Sequence, residues 1–258
     1  MKVAHRAILE FILGIGYQAE GGQAAMAAML EVQRRVPYFA EVEAGTLKDL
    51  AGQVRQRAYR AGEIVLVEGE NCEGLYVVLS GRVRAFKVSG EGREQILRIL
   101  GPGRTFNDVP VFDGGPNPAS IAGLEPSTVG LVPRATILAL VDKYPGVAKA
   151  VIRLLASRLR ALTLMVEDLS LRGVVARVAK LLLDCSRGQA TLIEGASGAC
   201  VRITQQDIAA MTGSVRVVVQ RALKALEADG AIRLQRARVH VVDPNALGRW
   251  SESPPPAP

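Results

Sequence analysis

The stretch Arg202-Ile203-Thr204-Gln205-Gln206-Asp207-Ile208-Ala209-Ala210-Met211-Thr212-Gly213-Ser214 carries the start and the end of a short helix. Thr204 offers a hydroxyl N-cap, and Asp207, at the third helical position, can reach back in a variant of the capping box. Gly213 ends the helix in a tight turn. Ser214 can then cap a second helix, Val215 to Ala228. Ile208, Met211, Val219 and Leu223 are spaced to pack the two helices together. Helix, glycine turn, helix is the layout whose second helix enters the major groove of DNA. On that second helix Arg216, Gln220 and Arg221 share one face near the N-terminal half. Arg bonds bidentately to guanine and Gln to adenine, whereas Lys224 is placed for phosphate. After Gly230, two short apolar strands flank the basic tip Arg236-Ala237-Arg238, which reads as a wing. The candidate DNA contacts are therefore Thr204, Gln205, Gln206, Ser214, Arg216, Val217, Gln220, Arg221, Lys224, Arg236 and Arg238.

The charge distribution agrees. Residues 172–250 hold 12 Lys/Arg against 6 Asp/Glu, whereas residues 1–171 hold 20 against 18. The positive excess sits around the helix pair, where it suits a polyanionic partner. The 258 residues are 49% hydrophobic and 22% charged, which suits ordinary globular domains and excludes bulk disorder. Cys72, Cys185 and Cys200 are far apart, with no CxxC, so neither a disulfide framework nor a cysteine-rich zinc site is expected. A reducing, cytoplasmic compartment follows. His5 and His240 are the only histidines. With no Ser/His/Asp set, Walker loop or metal-ligand cluster, an enzyme is not expected. No apolar run reaches the ~18–20 residues of a membrane span.

Further upstream the hydrophobic period changes twice. Between Val54 and Val132 short apolar clusters alternate with turn signals: Ile64–Val67, Leu75–Leu79, Val83–Val88, Ile96–Leu100 and Thr128–Val132. Glycines at Gly62, Gly69, Gly81, Gly90, Gly92, Gly101 and Gly103 punctuate them. That pattern predicts a small antiparallel sandwich or barrel. From Pro145 to Leu171, Ala148, Ile152, Leu155, Leu159, Leu162, Val166 and Leu169 fall at spacings of 4, 3, 4, 3, 4 and 3. Such an a/d stripe predicts a long helix that pairs with its counterpart in a second copy. Packing onto the chain's own barrel is the alternative. The expected organisation is an extension at 1–30, an amphipathic helix with a Gly21-Gly22 joint. A sensor barrel at 31–144, a dimerisation helix at 145–171, a winged helix at 172–250 and a Pro-rich, disordered tail at 251–258 follow it. Met26 or Met29 could equally serve as the start.

With Glu73-Gly74-Leu75-Tyr76-Val77-Val78-Leu79-Ser80-Gly81 as a barrel hairpin and Ile203 to Ile232 as a winged helix, residues 36–245 resemble the Crp/Fnr family of bacterial transcription regulators. The resemblance implies an α+β fold: an N-terminal jelly-roll-like β-roll, a long dimerisation helix and a C-terminal winged helix-turn-helix. It implies a homodimer on a pseudo-palindromic site in double-stranded DNA, with Ile152, Leu155, Leu159, Leu162, Val166 and Leu169 at the interface. RNA polymerase is a further implied partner, touched in the family through the regions that here are Gly188–Gly198 and Ser89–Arg93.

The resemblance also locates an effector pocket at Asn107, Asp108, Val109, Ala119, Ser120, Arg158, Leu162 and Thr163. Cyclic-nucleotide-binding members begin this cassette with Gly-Glu-Leu and end it with Arg-Ser or Arg-Thr. Here the start reads Asn107-Asp108-Val109 and the end Pro118-Ala119, so the arginine that would pair a cyclic phosphate is missing. The adenine-contacting Thr-Ser pair appears as Leu162-Thr163. Cyclic AMP is therefore not the expected effector, and the cofactor is left unnamed. With no cysteine before Cys72, the family's four-Cys iron–sulfur cluster is excluded by count. Cys72 reads as a small apolar filler, so haem is not expected either. In the recognition helix Val217 replaces an acidic residue that accepts from cytosine, and valine can contact a thymine methyl. The competing reading is a ligand-binding regulatory module that acts on a protein partner; a salt-dependent shift of promoter DNA separates the two.

Overall fold

The computed structural model describes Val36, Phe39, and residues 42–190, 192–194, 203–235 and 238–252. The 1–30 extension and residues 253–258 of the tail lie outside the described residues, whereas Ser251 and Glu252, expected in a disordered tail, are helical and Ser251 is buried. Helix α1 (Ala44–Gln53) leads into a β-roll of strands β1 (Arg55–Tyr59), β2 (Ile64–Leu66), β3 (Gly74–Ser80), β4 (Val83–Val88), β5 (Glu94–Leu100), β6 (Thr105–Phe106), β7 (Ser120–Gly123) and β8 (Ser127–Pro133). Short helix α2 (Asp108–Asp113) interrupts the roll, and α3 (Arg134–Lys143) follows it. One sheet runs β1-β8-β3-β6, and the facing sheet runs β2-β7-β4-β5. All pairings within the roll are antiparallel.

Strand β3 shows why the roll closes. Tyr76 and Val78 face the interior with Val83, Leu100, Phe106 and Val129. Leu75 and Val77 point the other way, into a second core with Leu50, Ile137, Leu140, Val147 and Val151. A strand covered on both faces reads as a continuous apolar run, and Leu75-Tyr76-Val77-Val78-Leu79 is one. Tyr76 stacks on Phe106 at 5.1 Å between ring centres.

Helix α4 (Pro145–Leu171) has 27 residues, with Pro145 in its first turn, where a missing N–H costs nothing. It is roughly 40 Å long. Val147 and Val151 are buried against the roll, with Leu154 and Leu155 leaning on the same core. Ile152, Leu159, Leu162 and Val166 face away and are 66%, 67%, 45% and 63% exposed. The a/d stripe is thus divided: Leu155 packs within the chain, and four apolar side chains remain on the outside.

The C-terminal unit comprises α5 (Val174–Ser186), β9 (Ile193–Glu194), α6 (Gln205–Met211), α7 (Arg216–Ala228), β10 (Ile232–Gln235), β11 (Arg238–Val241) and α8 (Pro244–Glu252). Strands β10 and β11 form the wing hairpin. The core of this unit, with Val178, Leu182, Ile208, Met211, Val219, Leu223 and Leu247, is continuous with Phe86, Ile96 and Ile99 of the roll. Strand β9 extends the same sheet by pairing parallel to β5, Ile99 opposite Ile193. Arg98 and Glu194 close that junction at 3.2 Å.

The local chemistry departs from the sequence reading in two places. Ser214 does not cap the second helix; Val215 holds that position without a side-chain bond, and α7 starts at Arg216. Ser214 instead sends its backbone N–H 2.9 Å to the carbonyl of Ala209, completing the tight turn. Cys185 is disulfide-bonded, although the sequence leads to no expectation of disulfides, and Cys72 is the free cysteine among the described residues.

Candidate nucleic-acid interface

The reading helix is set by the turn before it. Gly213 has φ +62°, and a Cβ there would lie 2.7 Å from Leu169 Cδ2 and 3.1 Å from Gln95 Oε1. The left-handed backbone is what calls for glycine, since the two neighbouring atoms are ends of flexible side chains. Upstream, the capping box is complete. Asp207 N–H donates to Thr204 Oγ1 at 3.1 Å, and Thr204 N–H donates to Asp207 Oδ2 at 2.9 Å. Gln95 Nε2 donates to the carbonyls of Ile96 (3.1 Å) and Met211 (3.4 Å), so the end of α6 rests on the roll.

On α7 the inner face carries Val219, Ala222, Leu223 and Leu226, all buried. The outer face carries Arg216, Val217, Gln220, Arg221 and Lys224, all exposed. The structure therefore brings five of the sequence-derived contacts onto one open helical face. Val215 and Val217, 47% and 58% exposed, place two apolar groups among the cations. Thr204 and Gln206 are exposed and Gln205 is half-buried, but the Thr204 hydroxyl is engaged by Asp207, to which it also donates at 2.7 Å. Glu227 accepts the Leu234 N–H at 2.7 Å and ties the wing to α7. In the wing, exposed Arg233 stands opposite exposed His240. Arg236 lies outside the described residues; Arg238 begins β11, and its side chain lies outside them too. Arg233, missed in the sequence reading, was detectable there as the polar position alternating with Ile232 and Leu234.

Glu94 in β5 pairs with Arg84 at 3.2 Å. Burial pushes its carboxyl above the ordinary range; Arg84 pulls it back and Asp207 pushes it further up.

The effector-cassette residues are placed unevenly. Asn107 adopts φ +65°, a conformation asparagine tolerates, and is buried. Its amide reaches Cys72 Sγ and the Gly74 carbonyl, each at 3.4 Å. Asp108, 2% exposed, is ion-paired with Arg158 from α4. Arg158 also donates to the Thr105 carbonyl at 2.6 Å, and Thr105 Oγ1 donates to Asp108 at 3.0 Å. Thr105 is a member of this cluster that the sequence reading missed. Ser120 Oγ accepts the Glu68 N–H at 3.0 Å. Val109 and Leu162 are exposed, Pro118 is exposed and Ala119 half-buried. Thr163 is exposed and bonds back to the Leu159 carbonyl at 2.9 Å. Among the described residues, no group of three or more His, Cys, Asp or Glu side chains could hold a metal ion. Among them, too, no helix is long and apolar enough to cross a membrane.

A winged helix-turn-helix with an open basic face, joined by a long helix to a β-roll, defines a nucleic-acid reader coupled to a sensor-type domain. Residues 56–144 match the cyclic nucleotide-binding domain, and residues 176–250 match the Crp-like helix-turn-helix domain. The chain is 31% identical over 221 residues to a CRP-like cAMP-activated global transcriptional regulator of Mycobacterium tuberculosis, spanning 86% of this chain and 99% of that one. It is 34% identical over 187 residues to a cyclic AMP receptor protein of Thermus thermophilus, spanning 72% and 83%. In fold it is similar to FixK2 from Bradyrhizobium japonicum, with a TM-score of 0.66 at 24% identity over 78% of this chain and 98% of that one. The chain belongs to the Crp/Fnr family: it is a DNA-binding transcription regulator and not an enzyme.

Proposed function

We propose that the protein acts in the cytoplasm as a homodimer that reads a pseudo-palindromic operator and answers to an effector other than cyclic AMP. The dimer reading is supported by Ile152, Leu159, Leu162 and Val166, which line one side of α4 without cover from their own chain. An apolar stripe at heptad spacing on a helix of this length is stabilised by a matching stripe. Self-pairing of α4 sets two copies of α7 on one duplex, each with Arg216, Gln220 and Arg221 toward base edges and Lys224 toward phosphate. Val217 favours a thymine methyl where a carboxylate would favour cytosine. RNA polymerase is the expected protein partner, through the Ser89–Arg93 turn and residues 188–198.

The effector reading rests on charge. A cyclic phosphate in a half-buried pocket needs a cation that is not already neutralised. Pro118 and Ala119 supply none, and Arg158 is held by Asp108 and Thr105. The M. tuberculosis and T. thermophilus relatives are named for cyclic AMP, so that nucleotide is the ligand to test against. The observation that carries the proposal is the open face of α7 on the same chain as the uncovered stripe of α4. Fluorescence anisotropy of a labelled operator, with and without cyclic AMP at two salt concentrations, tests it. Salt-sensitive, sequence-selective binding that cyclic AMP leaves unchanged supports it; binding that requires cyclic AMP overturns the effector reading.

A further inference from the structure

Between α4 and α5 the chain has only Arg172 and Gly173, with Gly173 extended at φ −65° and ψ 161°. The core shared with the roll and the β5–β9 pairing hold one side of the DNA-reading unit, and at the α4 end two linking residues leave its angle to side-chain contacts. We infer that Asp168 is a positioning residue that sets this angle at the α4 end. The inference rests on the dimeric, DNA-reading function proposed above.

Both oxygens of the Asp168 carboxylate are engaged, one by the linker and one by the reader. Oδ1 accepts from Arg172 Nε at 2.8 Å, and Oδ2 accepts from Lys180 Nζ at 2.6 Å. Lys180 lies on α5, the first helix of the reader, and also approaches Asp184 at 3.7 Å. Arg172 continues from Asp168 to the carbonyl of Ser251 in the last turn of α8, the reader's final helix, with Glu167 3.9 Å from its other nitrogen. One carboxylate on α4 thus holds the reader's first helix directly and orients the arginine that bonds its last helix. Arg177 adds a parallel tie by donating to the Leu169 carbonyl at 2.9 Å.

The latch closes over a crevice lined by Met165, Leu181 and Met211. Side-chain exposure is 22% for Asp168, 27% for Lys180 and 27% for Arg172. Water screens these pairs less than it screens pairs on an open surface. Gly213, in the turn before the reading helix, abuts Leu169 one residue along α4 from Asp168. A change in the latch angle is therefore passed directly to α7. In a dimer, that angle sets the distance between the two reading helices, and hence the operator spacing that fits.

Asp168→Asn keeps the side chain's size but leaves one carbonyl oxygen where two cations now bond. The test is binding of wild-type protein, Asp168→Asn, Asp168→Glu and Lys180→Gln to operators whose half-site separation is changed by one and by two base pairs, with a single-half-site duplex as reference. Wild type should prefer one separation by about fivefold or more, a usual size for coupling between sites. Asp168→Asn and Lys180→Gln should flatten that preference while leaving single-half-site affinity unchanged, and Asp168→Glu should restore part of it. Wild-type selectivity retained by both Asp168→Asn and Lys180→Gln, or affinity lost equally at every separation, overturns the positioning role alone. A flat profile in the wild type overturns the two-headed reading, and the positioning role with it.

Discussion

Leu159→Lys isolates the seam from the rest of the fold. Leu159 is 67% exposed and lies outside every buried cluster of its own chain. Burying a whole leucine side chain is worth about 2 kcal/mol, so roughly two thirds of that, about 1.3 kcal/mol, remains to be gained when α4 meets a second α4. The proposed dimer contains two copies of this side chain, which makes the loss about 2.5 kcal/mol per dimer. Two facing ammonium groups with little water between them add to it, and like charges in such a place repel. The sum is about 3 kcal/mol or more, a rise in the dimer dissociation constant of about 100-fold or more. Sedimentation velocity across a concentration series measures this directly. Wild type should sediment as a dimer at micromolar concentration and the variant as a monomer, with circular dichroism unchanged. A variant as dimeric as wild type, or a wild type that is monomeric throughout, refutes the reasoning.

Four further outcomes follow from individual contacts. Arg221→Ala should cost about 1–3 kcal/mol per half-site and relax the preference at one base pair, read by anisotropy on the operator and on a scrambled duplex. Lys224→Ala should weaken both duplexes alike and reduce the salt slope, since phosphate contacts carry no sequence information. Thr204→Ala opens the capping box and should lower stability by about 1 kcal/mol in urea unfolding. Glu94 is held above the ordinary carboxylate range by burial. The folded protein thus binds that proton more tightly than the unfolded chain, and the contribution of Glu94 to stability is fully present below the unfolded pKa near ~4.3. It falls as pH rises through the folded pKa and is flat above it. The melting temperature of wild type minus that of Glu94→Gln should therefore decrease on raising the pH; an increasing difference contradicts the assignment.

The winged helix was legible because its signals are local. Thr204, Asp207 and Gly213 act within one turn of each other, and the structure keeps all three roles. Ser214 was misread because a hydroxyl at the right offset looks like a cap, whereas the turn needs its backbone N–H. Strand β1 carried no signal: Arg55, Gln56, Arg57 and Ala58 are all exposed, so no apolar alternation marks it. Helix α2 has Pro110 inside six residues and shows no period. Strand β9 has two residues in a polar loop and exists because β5 offers it an open edge. The heptad stripe gave the extent of α4 but not its division. Leu155 and Leu159 look alike in sequence, and only the position of the roll turns one inward. The Arg158–Asp108 pair joins residues 50 apart, and no local pattern links them.

The central claim is that two copies of α7 read one duplex together. Selection of bound DNA from a random duplex pool by the purified protein tests it most directly. The expected result is an enriched pseudo-palindrome whose half-sites are centred about 10–10.5 base pairs, or a multiple of that, apart. Enrichment of a single asymmetric half-site, or no sequence enrichment at low salt, would contradict it.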